Sequence, residues 1–145
     1  MTRSILGIAL LGITLGTCQA AKAEPKAIVT AFFTAAFVAR QPTDAAIRYV
    51  SPDEYVQHNP NGRNGRESFI NGFAKYVEST AYRCDIKRVV AEGDLVVVHS
   101  HCKEKPDDRG SAVVDIFRVE GNLIVEHWDV MQAIPEAPRN PNTMF

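Results

Sequence analysis

Positive charge is what this chain has least to spare. Its 16 Lys and Arg stand against 17 Asp and Glu, a formal net charge of −1 over 145 residues. No basic run breaks that balance, so the electrostatic footprint that holds nucleic acid is missing. Long apolar runs are scarce too. Ile5–Leu15 is about half of what spans a bilayer, and nothing after it approaches that length. With only 3 cysteines, a framework of several disulfides is excluded. Neither phosphate-binding fingerprint occurs: Gly62–Arg63–Asn64–Gly65–Arg66 has the glycines without the spacing and reads as a loop leading to a helix cap. Repeats and low-complexity tracts are absent as well. What is present is enough to fold, since 46% of the residues are hydrophobic.

The N-terminus reads as an export signal over residues 1–23. Thr2–Arg3–Ser4 gives a short basic start, Ile5–Leu15 the apolar stretch, and Ala21–Lys22–Ala23 a small-x-small cleavage site. The competing reading is a lipoprotein signal at Cys18, for which Thr17 is a poor preceding residue. Both send the domain out of the cytoplasm, to the periplasm or beyond. Residues 24–145 then supply one core. In an oxidising compartment Cys84 and Cys102 are candidates for a disulfide. A three-residue turn centred on Gly93 would set them opposite each other, whereas a two-residue turn would send them to opposite faces.

The first half of the mature region is helical. Ile28, Val29, Phe32, Phe33, Ala36 and Phe37 recur at three and four, which predicts an amphipathic helix from Pro25 to Arg40. A second helix over Asp44–Val50 is expected, capped by Thr43, and a third from Asn64, with Glu67 completing a capping box. The third would turn Phe69, Ile70, Phe73, Tyr76 and Val77 inward. After Ser79 the period becomes two. Strands are expected at Tyr82–Val90, Leu95–Lys103, Ser111–Glu120 and Leu123–Ala133, separated by turn residues and followed by an irregular tail from Pro135. Helices first and a strand meander afterwards make an α+β fold. A curved antiparallel sheet only partly covered by helices leaves a pocket.

Polar residues on the inner strand face are therefore the candidates for chemistry. A tight hairpin at Gly121–Asn122 would set Asp115 opposite Trp128, with Val113, Phe117 and Val119 on its own face. Desolvation there raises a carboxyl's pKa and suits it to proton exchange near neutrality. The bland alternative is an aspartate that pairs with a buried Arg or caps a backbone group. Tyr55–Val56–Gln57–His58–Asn59–Pro60 is dense in hydrogen-bonding groups, and His58 can donate to a carbonyl or simply tie down a loop. In Glu126–His127–Trp128–Asp129 only one alternating pair can line a pocket; the other serves a dimer contact or a salt bridge. His99 and His101 share a strand face and with His58 would make three nitrogen ligands. Two imidazoles on a solvated strand are common without a metal, and none is assigned.

The order of helices and strands, together with Tyr55–Val56–Gln57–His58–Asn59–Pro60, Val114–Asp115–Ile116–Phe117–Arg118 and Glu126–His127–Trp128–Asp129–Val130, resembles the SnoaL-like polyketide cyclases of the nuclear transport factor 2-like superfamily. It is most similar to the bacterial branch of predicted aldol-condensation enzymes, as is the ending Asn140–Pro141–Asn142–Thr143–Met144–Phe145. The resemblance covers residues 25–145. It implies an α+β cone, a homodimer, a buried pocket and no cofactor. It also implies an acid/base aspartate on a late strand, matched by Asp115, and a recurrent histidine matched by His58. The expected function is cofactor-independent acid/base chemistry on a small carbonyl compound. Asp115 takes the α-proton, and His58, with Tyr55 or His101, steadies the enolate oxygen. Gln57, Asn59, His99, Phe117, Glu126 and Trp128 complete the expected substrate-binding set. The alternatives are a non-catalytic ligand-binding module and a His-based metal site.

Overall fold

The computed structural model describes residues 23–145. The predicted signal, apart from Ala23, and the Cys18 alternative lie outside the described residues. No described helix is long and apolar enough to cross a membrane.

Helix α1 (Pro25–Phe33) opens with a proline at its first turn and runs on as a π-helical turn over Thr34–Val38. The sequence explains the change of pitch. Its buried residues come in pairs every four positions: Ile28 and Val29, Phe32 and Phe33, Ala36 and Phe37. A four-residue repeat overshoots a turn of about 3.6 residues, and the wider π turn brings the last pair back onto the sheet. Arg40, with φ of 60°, ends the segment. Its guanidinium donates to the carbonyls of Val77 and Thr80, which ties this end to the third helix. Helix α2 (Pro42–Tyr49) starts at its proline, and Thr43 makes no side-chain cap. Helix α3 comprises Arg66–Phe69, a π turn at Ile70–Ala74, and Lys75–Ser79. Asn64 does not cap it, because its Oδ1 accepts the Gln57 N–H at 2.9 Å.

Five strands make one sheet: β1 (Val56–Gln57), β2 (Arg83–Glu92), β3 (Leu95–Lys103), β4 (Ser111–Glu120) and β5 (Leu123–Ala133), in the order β1-β5-β4-β3-β2. Strands β2 to β5 form an antiparallel meander, with β1 added in parallel at the β5 edge. Gly93 and Gly121 take positive φ in the two tight hairpins, as such turns require. Each hairpin then carries one surplus residue, Lys87 in β2 and Val125 in β5. Bulges of this kind strengthen the local twist.

The Lys87 bulge decides the fate of the cysteines. The β2–β3 turn has two residues, not three, yet Cys84 pairs with Cys102 because the bulge shifts the register by one. The two form a disulfide on the inner face. For this 18-residue separation the chain-entropy model gives about 3 kcal/mol of stabilisation. Cys84→Ser with Cys102→Ser should therefore lower unfolding stability in urea by about that amount. Peptide mapping of the denatured, unreduced chain should find neither thiol free; two alkylated cysteines would refute the bridge.

Candidate active site

Inner-face residues of β3 and β4 are buried: Val96, Val98, Ser100, Cys102, Val113, Asp115, Phe117 and Val119. Against them pack Phe32, Phe33 and Phe37 of α1 and its π turn, with Phe69 of α3. A cavity of about 250 Å³ remains between helices and sheet. Phenylalanines, Tyr82, the disulfide and Met131 make its apolar wall, and Asp115, His127, Asp129, Gln57 and Asn59 make its polar end.

Asp115 lies on the inner face with Val113, Phe117 and Val119, but its cross-strand partner is Asp129, not Trp128. The tight turn at Gly121–Asn122 does set Glu120 against Leu123, as expected. One pair later Val125 bulges, and every partner beyond it moves by one residue. Since side chains alternate, that single residue turns His127 and Asp129 into the cavity and Glu126 and Trp128 out of it. His127 and Asp129 are thus the site residues that the hairpin argument misses.

The segment after β1 orients them. Gln57 Oε1 accepts the backbone N–H of Asn59 at 2.8 Å, which fixes the amide, and the same oxygen lies 2.9 Å from His127 Nδ1. Nδ1 must therefore carry a proton. Asn59 is fixed in the same manner: its Oδ1 accepts the Asn61 N–H at 2.8 Å, so its NH2 donates to both Asp129 oxygens, at 2.9 and 2.7 Å. Gly62 permits the close packing, because a Cβ there would come within 2.6 Å of Gln57 Cγ.

His127 Nε2 lies 3.1 Å from Asp115 Oδ1. With Nδ1 committed to Gln57, this second contact holds one mobile proton, as a carboxylic acid donating to the imidazole or an imidazolium donating to the carboxylate. Burial pushes the Asp115 carboxyl upward above all else. The bond to His127 and its charge pull it back, and the charge of Asp129 raises it again. Tyr82 also lines the cavity, and burial, then the charges of Asp115 and Asp129, push its phenol up, so it stays a neutral donor. Tyr55 is buried beside Gln57, its hydroxyl 3.5 Å from Nε2, and is raised by the same causes.

Of the other expected site residues, Gln57, Asn59 and Phe117 line the cavity. Tyr55, His58, Glu126 and Trp128 do not. The His58 ring stacks on Trp128 at 4.6 Å, and its Nε2 meets Glu126 Oε1 at 2.8 Å. Arg118 Nε holds the other Glu126 oxygen at 2.7 Å, and that bond foremost keeps the Glu126 carboxyl below the usual range. His99 and His101 point outward because β3 buries its even-numbered residues. Arg88 donates to His99, His101 donates to the Arg109 carbonyl, and Phe145 lies over the His101 ring at 4.6 Å. Two strands separate these imidazoles from β1, so the three histidines do not converge on a metal. Among the described residues, Asp115, His127 and Asp129 do bring their ligand atoms within 4.8 Å of one another.

Residues 29–127 match the model of the SnoaL-like domain. The chain belongs to the SnoaL-like family. Solved structures share its fold. TsrD from Streptomyces laurentii is 24% identical, with a TM-score of 0.57 over 72% of this chain and 88% of its own. An NTF2-like protein of unknown function from Mesorhizobium loti is 18% identical, with a TM-score of 0.64 over 79% and 97%. A protein assigned as a ketosteroid isomerase from Kribbella flavida is 13% identical, with a TM-score of 0.63 over 83% and 87%. No curated protein matches this sequence. At these identities the likeness establishes the architecture alone, and the α+β cone of this SnoaL-like chain agrees with it.

Proposed function

We propose that this SnoaL-like protein is an exported, cofactor-independent enzyme performing enolisation or aldol-type acid/base chemistry on a small carbonyl compound. The observation that carries the reading is the Asp115–His127 pair, with its imidazole tautomer fixed by Gln57, at the polar end of an apolar cavity. In the ion-pair state the Asp115 carboxylate takes the proton alpha to the carbonyl. As that carboxylate becomes neutral, the Nε2–H of His127 is released to the developing oxyanion, a hydrogen bond strengthened by the apolar wall beside it. The oxyanion role expected for His58 passes to His127, since His58 lies outside the cavity. Export is supported by the Cys84–Cys102 bridge. Pairing of two copies is supported by the exposed Val90 and Val130 on the outer sheet face; a sedimentation mass of one chain would oppose it.

The test is to incubate the protein with simple aryl and alicyclic ketones in D2O and follow the α-proton by NMR. Catalysed exchange is the expected result. Ligand-induced shifts without exchange would mark a ligand-binding module instead, and the proposed chemistry would fall.

A further inference from the structure

The charges at the polar end do not cancel. The Asp115–His127 pair shares one mobile proton and is neutral as a unit wherever that proton sits. Asp129 remains, facing the same space within 4.8 Å of that pair, and among the described residues its hydrogen-bond donor is the neutral Asn59 amide. Among the described residues, no Lys or Arg lines the cavity. Arg63 is exposed and lines an adjoining pocket that shares Gln57, Asn61 and Gly62 with the cavity, without lining the cavity itself. Three other arginines are held by partners outside it. Arg40 donates to the Val77 and Thr80 carbonyls, Arg66 pairs with Glu67, and Arg118 holds Glu126 and Glu120 on the outer face.

An anion entering this space would meet an uncompensated carboxylate. A cation would complete an ion pair and rest against ring faces that attract positive charge. Size narrows the class further. A cavity of about 150 Å³ holds benzene, so about 250 Å³ takes a single ring with a short substituent.

We infer that the cavity selects compact ring-bearing ammonium compounds, with the cationic nitrogen against Asp129 and the ring on the phenylalanine wall. This deepens the proposed function by naming a substrate class, an amine-bearing carbonyl compound. It rests on that reading only in sharing the cavity, not on the proton transfer.

The experiment compares benzylamine, protonated at pH 7, with benzyl alcohol and benzoate by calorimetry on the intact protein. Benzylammonium should bind about tenfold more tightly than benzyl alcohol, and benzoate should not bind measurably. Asp129→Asn should remove the preference for the ammonium while leaving the alcohol within about twofold; Asp129→Glu should keep it. The wild-type ranking stands as a test even if Asp129→Asn fails to fold. The inference is overturned if benzylamine does not bind, if the alcohol or benzoate binds as tightly, or if Asp129→Asn keeps the preference. Absence of deuterium exchange would sink the proposed chemistry and leave this ranking untouched, so the two failures are distinguishable.

Discussion

Replacing Asp115 by Asn should reduce α-proton exchange by about 10²- to 10⁴-fold, the usual contribution of a positioned acid/base group, while the fold persists. The variant amide still offers an N–H to His127 Nε2, so the cavity keeps its shape and hydrogen bond. What it lacks is the capacity to take up a proton. Stability supplies a second readout. Asp115 is held above the ordinary aspartate range, with burial as the leading cause. The folded state therefore binds this proton more tightly than the unfolded chain does. Its stabilising contribution is complete below the unfolded pKa and is lost as pH rises through the folded one. The Asn variant has no such proton to lose. Urea midpoints measured from acid to alkaline pH should show wild type declining relative to Asp115→Asn. Parallel curves would mean that the folded state does not bind this proton more tightly than the unfolded chain, and unchanged exchange would remove Asp115 from the mechanism.

Phe32→Ala should be the most destabilising of the apolar truncations. Phe32 is 2% exposed, and its ring meets those of Phe37, Phe69 and Phe117 at 6.0, 6.3 and 5.7 Å. Truncating such a side chain costs about 3–5 kcal/mol through lost burial and the void left behind. Domains of this size hold about 5–15 kcal/mol in total, so the variant should unfold at a much lower urea midpoint. Phe32→Leu should lose less. A drop below about 1 kcal/mol for Ala would show that the helical layer collapses onto the sheet and fills the gap. Because Phe32 also floors the cavity, the same variant should weaken binding of ring-bearing ligands.

The elements were open to sequence reasoning because their periods are strong. Alternation gives β3, β4 and β5 with their observed ends, and the paired apolar residues give α1. Asp115 stands on the inner face among the neighbours that alternation assigns to it. Partners across strands were harder to read. Alternation is blind to a surplus residue in the neighbouring strand, so it does not show the Val125 bulge and places Trp128 where Asp129 lies. The cysteine pair shows the converse: sequence leaves the turn length open, the observed two-residue turn alone would part the cysteines, and the Lys87 bulge brings them together. Strand β1 is two residues long, too short for any period. Gln57 was consequently one polar residue among several, and its hold on the His127 tautomer depends on amide contacts that no spacing encodes.

The surplus residue in β5 has a consequence for comparing relatives. A chain with the same Glu–His–Trp–Asp tetrapeptide but no extra residue between hairpin and motif would offer its ligand a glutamate and an indole in place of an imidazole and an aspartate. Identical letters would then describe opposite binding surfaces. Transfer of function among such proteins should count positions from the glycine of the hairpin, since the parity of that count determines the chemistry a guest molecule encounters.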